Sequence, residues 1–108
     1  MTGERDNNGV VGVGADLDSL FAEVEALREL ASDSDKARDS ARVYDFGIRW
    51  GALLSGRLQR LAHYHHRGEL TPHEQARYEK LRTELRDVQP LAERLGIARP
   101  TIPLEDRR

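Results

Sequence analysis

Three observations predict an all-α fold for this 108-residue chain. Apolar residues recur at three- and four-residue steps in three separate stretches, the signature of helices that bury one face. Two of those stretches meet at Gly68-Glu69-Leu70-Thr71-Pro72-His73-Glu74, which contains a helix stop and a helix start within seven residues. Thr71 can accept from the backbone N–H of Glu74 while the Glu74 carboxylate reaches back to Thr71, and Pro72 falls at the first helical position, where a missing N–H costs nothing. The expected architecture is a three-helix assembly with a long antiparallel helical hairpin, with helices at about 16–31, 35–67 and 72–95 and a kink at Pro90.

Asp16 offers a cap for the first helix, whose apolar face is Leu17, Leu20, Phe21, Val24, Leu27, Leu30 and Ala31 and whose other face carries Asp18, Glu23, Glu25 and Glu29. Ser32-Asp33-Ser34-Asp35 reads as the turn that ends it. Ser34 or Asp35 then caps a second helix that runs without Pro to Arg67, about 48 Å at 1.5 Å per residue. Its apolar stripe is Val43, Phe46 or Gly47, Trp50, Leu54, Leu58 and Leu61, flanked by Ala37, Ala41, Tyr44, Ile48 and Leu53. Gly47, Gly51 and Gly56 each cost about 1 kcal/mol against Ala inside a helix, so they call for a reason. Gly47, Gly51 and Ser55 would form a small-residue ridge that lets another helix approach closely; a bend near the middle is the competing explanation. Tyr78, Leu81, Leu85 and Val88 give the third helix a seam of alternating three and four spacing that must pack on the second. Leu91 and Leu95 continue that phase past Pro90, and Gly96 ends it with Ile97 placed for a capping contact. The first helix, or the same portion of a second subunit, would cover the upper part of the long helix.

Length bounds the chain to a single domain. Residues 1–15 read as a disordered arm, 16–97 as the helical domain and 98–108 as an extended tail with two prolines. Gly9 to Gly14 lacks the glycine order, the Lys and the preceding strand of a phosphate loop. The absence of Cys excludes disulfides and thiolate catalysis. No apolar run spans a bilayer and no signal-peptide pattern opens the chain, so cytoplasmic localisation is the expectation. The excess of Arg over Lys fits a GC-rich, bacterial genome. The net charge of −2 hides a division: residues 1–35 hold nine acids against Arg5 and Arg28, a net −7, while residues 36–90 hold eleven bases against seven acids, a net +4. An acidic leading segment and a basic hairpin can attract each other within or between subunits.

Motifs that could carry chemistry are sparse. His63, His65, His66 and His73 form a cluster at the end of the second helix, but neither a His-Glu-x-x-His run nor a distant third ligand accompanies them. Histidines there suit the negative end of a helix dipole, and no metal or cofactor is expected. Ser55 lacks a nucleophile elbow and an activating His. Asp45 and Arg49 read as an ordinary i,i+4 ion pair. The chain is not expected to be an enzyme. Leu91-Ala92-Glu93-Arg94-Leu95-Gly96-Ile97-Ala98-Arg99-Pro100-Thr101-Ile102 resembles the opening of the helix-turn-helix in GntR-type repressors. Pro103 stands in the first turn of the recognition helix that the resemblance would require, so no major-groove reader is expected.

Function is therefore sought in surfaces. The expectation is a small helical protein–protein interaction or regulatory module, self-associating as a homodimer through Gly47, Trp50, Gly51, Leu54 and Leu58 and engaging a further, unidentified protein. The alternative is a nucleic-acid-binding regulator that uses the basic face Arg49, Arg57, Arg60 and Arg67, since no acid occurs between Phe46 and Gly68. No membrane role is expected.

Overall fold

The computed structural model describes residues 10–97. The expected arm (up to residue 9) and tail (98–108) lie outside the described residues, as does the second half of the helix-turn-helix resemblance. All regular structure among the described residues is helical. Helix α1 spans Val13–Ser32, α2 Ser34–Arg38, α3 Ser40–Leu53, α4 Gln59–His66 and α5 Pro72–Arg94, with a π-helical turn over Leu54–Leu58 joining α3 to α4.

Helix α1 begins three residues before the expected start, preceded by Gly12 rather than capped by Asp16. Val13 is buried there, which adds one more apolar anchor to the seam Val13, Leu17, Leu20, Val24 and Leu27. The turn after α1 is capped by Asp33 in place of Ser34 or Asp35: its carboxylate accepts from the N–H groups of Asp35 at 3.0 Å and Lys36 at 3.2 Å. The expected single helix from 35 to 67 is interrupted at Asp39, away from its glycines, and changes pitch again over 54–58, a stretch that includes Gly56. Asp39 has extended backbone angles, and its side chain accepts from Arg42 N–H at 3.2 Å to start α3 anew. A side chain that can cap a helix competes with the ladder that would pass through it.

Through Gly47, Gly51 and Gly56 the chain stays helical, but it widens over 54–58. The buried residues Phe46, Trp50, Leu54 and Leu58 explain why. Their uniform four-residue spacing drifts around a 3.6-residue helix, and a wider turn that absorbs an extra residue returns the stripe to the core. Leu61 then resumes a three-residue step and is fully buried.

The stop and start signals expected between residues 68 and 74 are both realised as hydrogen bonds. The Thr71 hydroxyl accepts from Glu74 N–H at 3.1 Å, and the Glu74 carboxylate accepts from Thr71 N–H at 2.9 Å. At the end of α4, Gly68 adopts φ 72° while its N–H donates to His65 O and the Glu69 N–H to Tyr64 O. Gly96 repeats this geometry after α5 at φ 75°, with Ile97 N–H donating to Ala92 O at 2.8 Å and the Ile97 side chain buried. Both are Schellman closures, which need a left-handed residue that only Gly supplies without strain. Pro90 is accommodated inside α5, which runs on to Arg94.

The most extensive backbone packing is between α1 and α5, and not between α5 and the 40–66 stretch on which the sequence expects it to lie. Asp18 meets Arg77 at 2.8 Å and Arg28 meets Glu84 at 3.9 Å, so the two advance in the same direction. Against α3 and α4 the sense of α1 is reversed, since Glu23 meets Arg49 while Asp16, earlier in α1, meets Arg57 and Arg60. His65 lies 4.9 Å from the Tyr78 ring at one end of the bundle, and Ile97 lies beside Gly47 at the other. Helix α1 thus supplies the cover for the long broken helix, and one contiguous apolar core joins α1, α3, the π-helical turn, α4 and α5.

Candidate interaction surface

The acidic and basic halves of the chain neutralise each other inside a single subunit. Asp16, 1% exposed, is the centre of this. Arg60 grips it in a fork, Nε donating to Oδ2 at 2.9 Å and Nη2 to Oδ1 at 2.8 Å, and Arg57 Nη1 adds a third bond at 2.7 Å. Bidentate guanidinium–carboxylate geometry gives direction as well as attraction, so this clamp fixes the register of α1 on α4. The hydrogen bond to Asp16, reinforced by its charge, holds the Arg60 guanidinium above its ordinary pKa. Farther along, Arg49 Nε donates to Glu23 at 2.7 Å while its guanidinium lies 5.0 Å from the Phe46 ring centre. Arg67 pairs with Glu69 at 3.0 Å. Each member of the expected basic face, Arg49, Arg57, Arg60 and Arg67, therefore already faces a carboxylate of its own chain.

The residues expected to make the oligomer contact divide into two sets. Trp50, Leu54 and Leu58 are buried in the intrachain core, so their helix contact is internal and a second subunit cannot reach them without unfolding. Gly47 and Gly51 lie at the margin instead. A Cβ placed on Gly51 meets nothing within 4 Å, and one on Gly47 meets only Ile97 Cγ1 at 3.7 Å. Ser55 is exposed and returns its hydroxyl to Gly51 O at 2.9 Å. Tyr44 and Ile48, read from the sequence as flanks of the core stripe, point outward at 69% and 59% exposure. Periodicity alone could not assign them, because the four-step core stripe and the outer stripe run side by side along the same helix. Ala41, Tyr44, Ile48, Gly51, Ala52 and Ser55 thus make an uncharged outward strip along α3 and into the π-helical turn.

Two clefts flank that helix, each of about 510 Å³. One lies toward α1 and is ringed by mixed charges, among them Glu29, Lys36, Arg42 and Asp45. The other lies between the start of α3 and the end of α5, with Val43, Gly47, Leu95 and Ile97 among its walls.

The histidines do not converge. His65 Nδ1 is 3.0 Å from Gln75 Oε1 and packs on Tyr78, His63 stacks edgewise on Tyr64, and His66 and His73 are exposed. No group of three or more His, Cys, Asp or Glu side chains able to hold a metal occurs among the described residues, and no helix there is long and apolar enough to cross a membrane. In comparisons with known proteins, no family model, curated protein or solved structure matches the chain.

Proposed function

We propose that this protein is a small helical interaction module that associates with a second copy of itself through the outward strip of α3. The observation that carries this reading is the pairing of two large exposed apolar side chains, Tyr44 and Ile48, with two glycines whose Cβ positions are open or nearly so. A contiguous exposed apolar patch marks a contact site where isolated apolar residues do not, and Tyr44 and Ile48 adjoin on one helix face, four residues apart. Small residues one turn away let a second helix come close enough to cover them. A two-fold dimer brings the same strip of each subunit together, so a projecting Ile48 can seat over the partner's Gly51 and the reverse. The contact involves Tyr44, Gly47, Ile48 and Gly51, with Trp50, Leu54 and Leu58 supporting it from beneath.

Light scattering on the eluting protein tests the reading. Gly51→Leu projects a bulky side chain into the open space and is expected to yield a monomer with unchanged helical circular dichroism. A Gly51→Leu protein that keeps the wild-type dimer mass would overturn the proposed contact. The intrachain neutralisation of Arg49, Arg57, Arg60 and Arg67 is why the protein-binding reading is preferred to the nucleic-acid one: guanidiniums already paired with carboxylates offer a weaker field to phosphates.

A further inference from the structure

The cleft between α3 and the end of α5 differs from its twin in one respect. It has cations in its wall and no carboxylate: Arg38 and Arg94 line it together with Val43, Gly47, Leu95 and Ile97. Among the described residues Arg94 makes no ion pair. Arg38 is held at 3.2 Å by Asp35, but both partners are largely exposed, and such a pair exchanges at little cost. Gly47 leaves the floor open, because the only atom near its Cβ position is Ile97 Cγ1. The Schellman closure at Gly96 fixes Leu95 and Ile97 as one wall, so the cleft is preformed.

We propose that this cleft docks a peptide segment of a partner protein in which apolar side chains are followed by adjacent carboxylates. The apolar groups take the floor beside Gly47, and the carboxylates meet Arg38 and Arg94. Charge complementarity selects the peptide: a cleft lined by guanidiniums without a carboxylate disfavours a basic or neutral segment and favours an acidic one. An extended backbone suits the narrow space between two helices, and proline within the segment lowers the entropy lost on docking. The sequence Thr-Ile-Pro-Leu-Glu-Asp, found at positions 101–106 of this chain, has that chemistry and serves as a ready probe. Tyr44, Gly47 and Ile48 belong both to this cleft and to the proposed dimer contact, so peptide docking and self-association compete, whereas Arg94, Leu95 and Ile97 serve the cleft alone.

The test is fluorescence anisotropy of the full-length protein with labelled Thr-Ile-Pro-Leu-Glu-Asp, with the same peptide ending in Lys-Lys, and with laurate as an anionic competitor lacking a peptide backbone. The acidic peptide is expected to bind at least fivefold more tightly than the Lys-Lys peptide, and more weakly as salt rises. Arg94→Glu should weaken it at least fivefold, and Gly47→Leu, which fills the floor, should abolish it. Gly51 lies outside the cleft lining, so the Gly51→Leu protein should bind the acidic peptide at least as tightly as the wild type, because losing self-association uncovers the shared residues. Equal binding of both peptides, or retention by Gly47→Leu, would overturn the proposal. So would uptake of laurate with neither peptide bound, or peptide binding by the Gly51→Leu protein alone, which would assign the cleft to a second copy.

Discussion

Asp16 is a buried carboxylate whose charge is tolerated only because two guanidiniums reach it from one turn of α4 and the residues before it. Arg57 and Arg60 remain about half exposed, so either can rehydrate if released. The asymmetry makes a specific prediction. Arg57→Ala or Arg60→Ala alone leaves one partner and should destabilise only slightly, whereas the double variant strands the buried Asp16 charge and should cost about 3 kcal/mol, more than the sum of the two. Urea denaturation of the cycle measures this; strict additivity would show that the two arginines act independently. Tyr78 supplies a second prediction. Burial raises its phenol pKa above the ordinary 10.0, with nearby Arg82 opposing. At pH values above 10 the unfolded chain gives up this proton while the folded chain keeps it, so the unfolded state binds fewer protons and stability falls as pH rises. The contribution is intact below about pH 10 and lost from there toward the raised folded value; Tyr78→Phe should flatten that part of the curve. Neither role was legible beforehand. Asp16 has the look of a helix cap when only its neighbours in sequence are considered, and its partners stand more than forty positions away.

At the scale of the element, local chemistry was readable at the two ends of α5 and at the end of α4, where the deciding atoms are within a few residues, but not at the Asp33 and Asp39 caps, although their partners are equally near. The capping box at Thr71 and Glu74 and the glycine closures at Gly68 and Gly96 depend on such atoms, and the sequence reading names all of them. Thr71→Ala should therefore cost about 1 kcal/mol and speed amide exchange in the first turn of α5; unchanged exchange there would show that Pro72 alone suffices to start the helix. The break at Asp39 escaped because an Asp within an apolar 3–4 pattern is compatible with either a solvent-facing helical residue or a cap, and only tertiary docking of α2 against α1 decides. The π-helical turn had a signal, the even four-residue spacing of Phe46, Trp50, Leu54 and Leu58, which a 3.6-residue helix cannot keep on one face. The long helix thus departs from regularity at Asp39 and over 54–58, where that spacing coincides with Gly56, while Gly47 and Gly51 stay in regular α-helix.

For the whole molecule, the division of charge between the leading segment and the rest becomes an internal clasp: α1 lays its acids on the arginines of α3, α4 and α5. The all-α class and its apolar seams were legible in the sequence, but the facing of α3 was not, because it hinges on which of two adjacent stripes the other helices cover. With Trp50 inside and Ile48 outside, substitutions two residues apart on opposite sides of α3 should separate folding from association. Trp50→Ala is expected to cost about 3–5 kcal/mol of subunit stability, while Ile48→Glu should leave the fold intact and change only assembly. The most direct test of the central claim is the molar mass of the wild-type protein by light scattering across a hundredfold range of concentration. The account predicts a mass rising from the 12.2 kDa of one chain toward twice that value, and a constant single-chain mass for Ile48→Glu. A wild-type protein that stays at 12.2 kDa throughout would contradict it.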